Sequence, residues 1–446
     1  MGTSTPTITL ERPELHWSLA SRAGFRFCFA YFGLYSLSTE ITLAGLLLPF
    51  AIDDIPNPAT LPPMRQIVFW TAAHVFGVKL PLIYWDNGSG DKIFNWVLTF
   101  LLLVVATFVA GIWSILDRKR SHYIALYKWF RLFIRFGLAG QMVSYGLAKV
   151  IPTQMPFPSL TRLLTPYGNL SPMGVLWSAI GASPIYEIFG GCAEVLGGVL
   201  LFIPRTTTLG ALLCLADMVQ VFILNMTYDV PVKLFSFHLI LMSVFLLAPD
   251  CPRLTTFFFL NRPAGPPTQP QLFLTRRANR VALTVQVLFG AWLVASNAYW
   301  ARHSWQSWGD GRPESPLYGI WNVEEFSIDR QFRAPLITDA ERWRRAIFDS
   351  PDLFAVERMD DSFDYYRSAI DVNSETLALT KAGDANPKGN FTFKRVARDQ
   401  LILDGAMDGH EIQMQLRLLD RKKFLLVSRG FHWTNESSFN PGYNDR

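Results

Sequence analysis

Charge is scarce in the first 300 residues of this 446-residue chain, and cysteine is scarce throughout. Charged residues make up 17% of the chain and hydrophobic ones 50%. The charges crowd into short loops and the last third, which excludes a single soluble domain of ordinary composition. Cys28, Cys192, Cys214 and Cys251 form no Cys-x-x-Cys pair, and the chain has no cysteine after them. A metal–thiolate centre or a dithiol relay is therefore unsupported, and the four read as buried small hydrophobes. Walker loop, dinucleotide fingerprint, His-Glu-x-x-His helix and nucleophile elbow are all missing, so no metal site is assigned. The leader from Thr3 to Ser18 is polar and no small-residue cleavage site comes after it, which argues against a cleavable signal peptide. The net charge of +5 reads as loop lysine and arginine of a membrane protein rather than nucleic-acid binding.

What is present is a series of long apolar runs. Spans are expected at Phe25 to Phe50, Lys92 to Leu116, Tyr123 to Ile151, Ile185 to Pro204, Thr206 to Asn225, Lys233 to Ala248 and Val281 to Trp300. Each is long enough, or nearly so, to cross a bilayer as a helix. Arg65 to Tyr84 is apolar but broken and reads as an interfacial or re-entrant helix. The 152–183 loop reads as packed rather than spanning. Basic loops at 117–122, 204–206 and 249–280 point to the cytoplasm, together with the N-terminus. The loops at 51–91, 152–183 and 226–232, and everything after Trp300, then lie outside.

Beyond residue 302 the pattern changes to short β-rich runs. Gly319 to Phe326, Thr376 to Thr380, Asn390 to Lys394, Gln400 to Leu403, Glu411 to Leu416 and Lys423 to Val427 read as strands. Arg342-Trp-Arg-Arg reads as a short helix or turn, and Asp404-Gly405 and Asp408-Gly409 as turns. The expected fold is an α-helical multi-pass membrane bundle of about seven transmembrane helices, followed by a small antiparallel β-barrel or sandwich. The expected domains are a leader 1–22, a bundle 23–301 and an extracytoplasmic β domain 302–446.

Ionisable groups inside membrane spans are expensive and default to function. Glu187 and Glu194 are two helical turns apart on one face, with Gly190, Gly191, Gly197 and Gly198 on or beside it. Tyr145 and Lys149 share a face of the preceding span. Asp229 and Lys233 flank Pro231, and His238 lies deeper. Lys149, Glu187, Glu194, Asp229, Lys233 and His238 are the candidate catalytic groups of one outward-facing polar pocket. In it a lysine or histidine would polarise a carbonyl or move a proton. Tyr145, Asp217 and Gln220 are candidate ligand-binding residues, the last two facing the bundle. The competing account is an ion-pair network that fixes helix register. Arg131 and Arg135 can snorkel to the headgroups. His432, among the aromatics of 429–436, reads as structural. Asn225-Met-Thr matches a glycosylation triplet beside a span.

Tyr145-Gly-Leu-Ala-Lys149 ending one span, the Glu187 to Gly198 stretch in the next, and Arg205 after it together resemble the DoxX-like membrane family. The resemblance implies a four-helix core over about 123–249. It also implies a bacterial inner-membrane setting and a role as an oxidoreductase component using a lipid quinone. The three further spans and the β domain depart from that family. A bundle followed by an outside β domain is similar in plan to the vitamin K-dependent carboxylase group, without a motif that carries over its catalytic residues. The alternatives are a non-catalytic membrane anchor whose β domain binds a lipid or protein partner, and a carboxylase-like or transport protein.

Overall fold

Ser18 caps the first helix by accepting a hydrogen bond from Ser21 N, and the chain then runs helically until Ser38. The computed structural model describes residues 17–47, 56–265, 271–381, 388–437 and 439. In chain order the helices are α1 (Leu19–Ser38), α2 (Met64–His74), α3 (Ile93–Leu116), α4 (Ile124–Val150), α5 (Leu160–Leu164), α6 (Pro172–Gly181), α7 (Pro184–Phe202), α8 (Thr207–Thr227), α9 (Lys233–Leu247), α10 (Cys251–Phe258), α11 (Arg276–Ser307) and α12 (Leu425–Ser428). A π-helical turn, Leu43–Leu47, comes after α1. Contacts divide the chain into two units, Met1–Ile151 with Ile188–His303, and Pro152–Glu187 with Ser304–Arg446.

The first unit is a helical bundle. Ile93–Leu116, Pro184–Phe202, Pro204–Thr227, Lys233–Phe258 and Arg276–Ser307 are long and apolar enough to cross a membrane. Their outward faces are apolar: Phe108, Ile112 and Ile115 on α3 and Val281, Val285 and Leu288 on α11 are exposed. Such i, i+4, i+7 stripes need an apolar solvent, which a bilayer provides. Helices α1 (20 residues) and α4 (27 residues) are long enough but more polar. Their cations turn inward. Arg26 is buried and donates to Tyr123 Oη (3.0 and 2.7 Å), Ser114 Oγ (2.9 Å) and the Asp117 carbonyl (2.9 Å). That tie holds the start of α1 against the α3–α4 loop.

Arg131 and Arg135 do not snorkel. Both are buried. Arg131 donates to the Leu246 carbonyl (3.1 Å), and Arg135 to Thr207 Oγ1 (3.4 Å) and to Gln286 Oε1. Arg131 is better placed there than in lipid, since it meets a carbonyl of the last turn of α9. These contacts tie the first half of α4 to the start of α8, the end of α9 and the first half of α11.

The second unit is built on a sheet. Its strands are β1 (Gly319–Ile328), β2 (Gln331–Phe332), β3 (Trp343–Ser350), β4 (Leu353–Arg358), β5 (Phe363–Asp371), β6 (Thr376–Lys381), β7 (Gly389–Ala397), β8 (Gln400–Met407) and β9 (His410–Leu418). Neighbours in the order β1-β3-β4-β5-β6-β7-β8-β9 pair antiparallel, and β9 closes on β1. The result is an eight-stranded up-and-down barrel with β2 hung on β1, so closure leaves few free edges. Trp321, Phe326, Trp343, Phe348, Phe354 and Phe391 fill the lumen with other apolar side chains. Outside, Leu160 of α5 packs on Ile320, Ile347 and Ala355.

Several sequence expectations change here. Arg342-Trp-Arg-Arg is no turn but the edge of β3, and Trp343 is its lumen anchor. Strand β3 escapes a period-2 reading because both its faces are covered. Strands β4 and β5 were not expected. Lys423 to Val427 is a 3-10 turn and a short helix rather than a strand. Asp408-Gly409 is the β8–β9 turn, both residues at positive φ (51° and 88°). Asp404-Gly405 instead lies within β8. Gly405 is needed there because a Cβ would strike the Asn390 carbonyl across the ladder. Cys192 and Cys251 are exposed rather than buried.

Candidate functional site

The end of α1, residues 56–60, the 84–92 loop, the start of α3, Tyr145 of α4 and the start of α9 enclose a cavity of about 660 Å³. Its walls are aromatic at Tyr35, Tyr84, Trp85, Phe94 and Tyr145, and polar at Thr39, Glu40, Asn57, Asp86 and Lys92. The loop side is held by backbone and side-chain bonds. Gly90 N donates to the Pro231 carbonyl (2.7 Å), Lys92 Nζ to the Trp85 carbonyl (2.8 Å) and Asn95 Nδ2 to the Gly90 carbonyl (2.7 Å). On the bundle side, Tyr145 Oη donates a long hydrogen bond, 3.4 Å, to Glu40 Oε1. A carboxyl group and a phenol thus face each other on the cavity wall, both residue types that can take part in proton transfer.

One turn after Tyr145, on the same face of α4, Lys149 Nζ bonds both oxygens of Glu194 at 2.7 Å. Both groups are largely removed from solvent, with 13% and 5% of their side chains exposed. Glycines make this pairing reachable. A Cβ on Gly146 would lie 2.8 Å from Val195 N, and one on Gly191 2.6 Å from the Gly146 carbonyl. Backbones of α4 and α7 therefore touch directly, as small residues allow between membrane helices. Asp217 of α8 lies within electrostatic range of both Glu194 and Lys149. Its Oδ2 is buried without a hydrogen-bond partner among the described residues.

The remaining expected site residues sit elsewhere, in contacts of their own. Glu187 is buried and its Oε1 accepts from Met155 N (3.0 Å), holding the chain just after α4. Lys233 Nζ pairs with Asp229 (2.8 Å) and lies 3.7 Å from Asp91. Asp91, which sequence reasoning passed over, caps α9 from a distant loop: Lys233 N donates to its Oδ2 and Leu234 N to its Oδ1, both at 2.9 Å. A carboxylate on two orphan amides at a helix start is a cap.

His238 is buried and fully satisfied. Its Nδ1 donates to the Leu234 carbonyl (2.7 Å), so Nε2 is the acceptor for Tyr31 Oη (2.6 Å). The ring stacks on Tyr35 at 3.8 Å and 4°. It thus backs a cavity wall rather than entering the cavity. Gln220 is exposed on α8 and does not face the bundle. Gly190 points into open space, unlike Gly191 and Gly198. Asn225 is buried and donates to Ser236 Oγ (3.1 Å), which closes it to glycosylation. His432 is exposed, with its Nδ1 3.3 Å from the Gly430 carbonyl. Among the described residues no group of three or more His, Cys, Asp or Glu is arranged to hold a metal.

The sequence places Glu40 with the ionisable groups of the expected pocket, about two-thirds of the way along the first span, whereas Tyr35 is not singled out by it. The available signal was the break Ser36, Ser38, Thr39, Glu40 inside an apolar run. No protein-family model and no solved structure matches this chain. It is similar to the uncharacterized protein YwoB of Bacillus subtilis (strain 168), with 36% identity over 121 residues, 27% of this chain and 74% of the relative. At that identity and coverage of the relative, the chain belongs to the family of YwoB.

Proposed function

We propose that this is a DoxX-like integral membrane protein whose bundle binds a quinone-type ring in the Glu40–Tyr145 cavity, as a component of a quinone-linked oxidoreductase. The observation that carries the proposal is the Tyr145–Glu40 pair on an aromatic-walled cavity of about 660 Å³. That size is within the ordinary range for small-ligand sites. The residues fit the group. Tyr35, Tyr84, Trp85 and Phe94 offer ring faces, Lys92 offers a donor to a ring oxygen, and Tyr145 would exchange its long bond to Glu40 for one. A bound quinone supplies two-electron redox capacity. The chain's own part is to orient the ring, exclude lipid and exchange protons through Glu40 and Tyr145. The buried Lys149–Glu194 pair and Asp217, one turn along α4, extend that polar row into the bundle.

Seven spans serve this reading, α1 and α4 joining the five apolar ones because their cations are buried and partnered. Basic residues at the level of the α1 start, the α3–α4 loop and the α11 start support a cytoplasmic N-terminus in a bacterial inner membrane, with the barrel on the other side. A topology reporter placed in 117–122 that faced outward would reverse that orientation. The scaffold reading is weaker because the barrel lumen is filled by side chains.

The test is mass spectrometry of quinones retained by the purified protein, followed by titration with a short-chain quinone. Glu40→Gln and Tyr145→Phe should weaken binding at least several-fold, whereas Gln220→Ala on the outer face should leave it unchanged. Absence of both retained quinone and titratable binding, or full binding by both cavity variants, refutes the proposal.

A further inference from the structure

The chain enters the barrel at Gly319, and the eleven residues 308–318 separate that point from the end of α11 at Ser307. Eleven residues reach at most about 40 Å, which is the upper bound the chain sets on the distance from Ser307 to this rim. Strand β9 ends at the same rim, because Leu418 pairs with Trp321 near the start of β1. The segment after β9 is rooted there. Leu419 N donates to the Ile320 carbonyl (2.8 Å), Arg421 Nη1 to Tyr318 Oη (2.8 Å), and Leu419 and Phe424 pack on the barrel's outer face.

Past Phe424 the segment turns its apolar groups outward. Leu425 and Leu426 are about half exposed, Phe431 is 77% exposed and Trp433 92%. Lys422 and Lys423 are exposed beside them, and Arg429 comes one turn after Leu425 and Leu426. An aromatic side chain left almost entirely bare has lost its hydrophobic stabilisation unless something covers it. Interleaved basic and aromatic residues have the composition of segments that lie in the headgroup region, rings at the acyl boundary and ammonium groups on lipid phosphates. The opposite rim differs. It carries the exposed Asp329–His410 pair and the Asp408-Gly409 turn.

We propose that residues 422–433 form a membrane-surface anchor. They would lay the barrel's entry rim on the leaflet from which α11 emerges, with anionic headgroups as the recognised chemistry. The short tether makes such docking intramolecular, so modest affinity suffices. The proposal is independent of the quinone reading, since no cavity residue takes part.

Site-directed spin labelling tests it in the full chain. Cys28, Cys192, Cys214 and Cys251 are replaced by alanine, and Trp433→Cys or, on the opposite rim, Gln331→Cys carries the label. Both sites are exposed, so labelling should not disturb folding. In nanodiscs containing phosphatidylglycerol, the label at 433 should be several-fold more accessible to oxygen than to a water-soluble nickel complex, and the label at 331 the reverse. A label at 433 as open to nickel as that at 331 overturns the anchor. So does one shielded from both reagents, which places a protein surface, a second copy or a partner, over the segment.

Discussion

Replacing Gly191 by alanine isolates the contact that brings Lys149 and Glu194 together. The added Cβ would sit 2.6 Å from the Gly146 carbonyl and 2.7 Å from Val150 N, both backbone atoms that cannot swing aside. Ordinary contact begins near 3.4 Å, so α4 and α7 must part by about 0.8 Å (3.4 − 2.6). Overpacking of this kind costs about 1–3 kcal/mol. Alanine also favours the helix over glycine by about 0.8–1 kcal/mol, which masks part of the loss. Gly190→Ala on the preceding residue supplies the correction, because its Cβ meets nothing within 4 Å. The difference between the two variants is then the steric cost alone, about 1–3 kcal/mol. Thermal unfolding in one detergent should place Gly191→Ala several degrees below Gly190→Ala. Equal melting temperatures would show that α4 and α7 do not touch as described, and the explanation of the ion pair would fall with them.

Asp91→Ala removes the acceptor of two orphan amides at the start of α9 and should cost about 0.5–2 kcal/mol, whereas Asp229→Asn, an exposed partner of Lys233, should cost less than about 1 kcal/mol; the two melting curves decide it. Trp343→Ala empties the middle of the barrel, where its ring meets Phe326, Phe354 and Phe391, and should cost about 3–5 kcal/mol. Hydrogen exchange of strand amides in the full chain should rise accordingly, and unchanged protection would mean the lumen is not the core. His410 donates from Nδ1 to Asp329 (2.8 Å), and that hydrogen bond and the carboxylate's charge hold the imidazole above the ordinary value of 6.5. The same bond and the Glu411 amide hold Asp329 below the carboxylate range. The pair's stabilisation is therefore full just below pH 6.5, fades as pH rises through the raised His410 value, and fades at the acid end as Asp329 protonates. An NMR titration of His410 should shift down toward 6.5 in Asp329→Asn; an unchanged midpoint would refute the coupling.

Four strands of the barrel were readable from one wet face, although β5, which alternates in the same way, was missed. Strands β6 to β9 alternate buried and exposed residues, and each was visible as a period of two. Strands β3 and β4 are buried on both faces because Leu160 and Phe424, far from them in the chain and on opposite sides, cover Ile347 and Ala355 from outside. No local pattern carries that information. The helices were legible for a related reason: the lipid-facing stripe makes an apolar run long and unbroken even where the other face is polar. Where the inward face carries cations, as on α4, the expected span is more polar than its neighbours, and the partners Leu246, Thr207 and Gln286 account for the arginines.

The site was half legible, and the reason lies in what depth can and cannot say. Charges at similar height along different spans suggest one pocket, yet height does not fix the direction in which each side chain points around its helix. Lys149 and Glu194 meet because Gly146 and Gly191 let their helices touch. Lys233 is spent on Asp229 and the Asp91 cap, and His238 on Tyr31 and a carbonyl of its own helix. Each of these groups has its polar requirement met by a neighbour, which is what burial in an apolar bundle demands. Glu40 differs. Its side chain meets a tyrosine at the long distance of 3.4 Å, and it lines open volume rather than packed helix. An acid so weakly engaged is the group best placed to bind something the chain does not itself provide. Under the proposed quinone reading, Glu40, rather than the better-paired lysines, is therefore the residue whose replacement tests the bundle most directly.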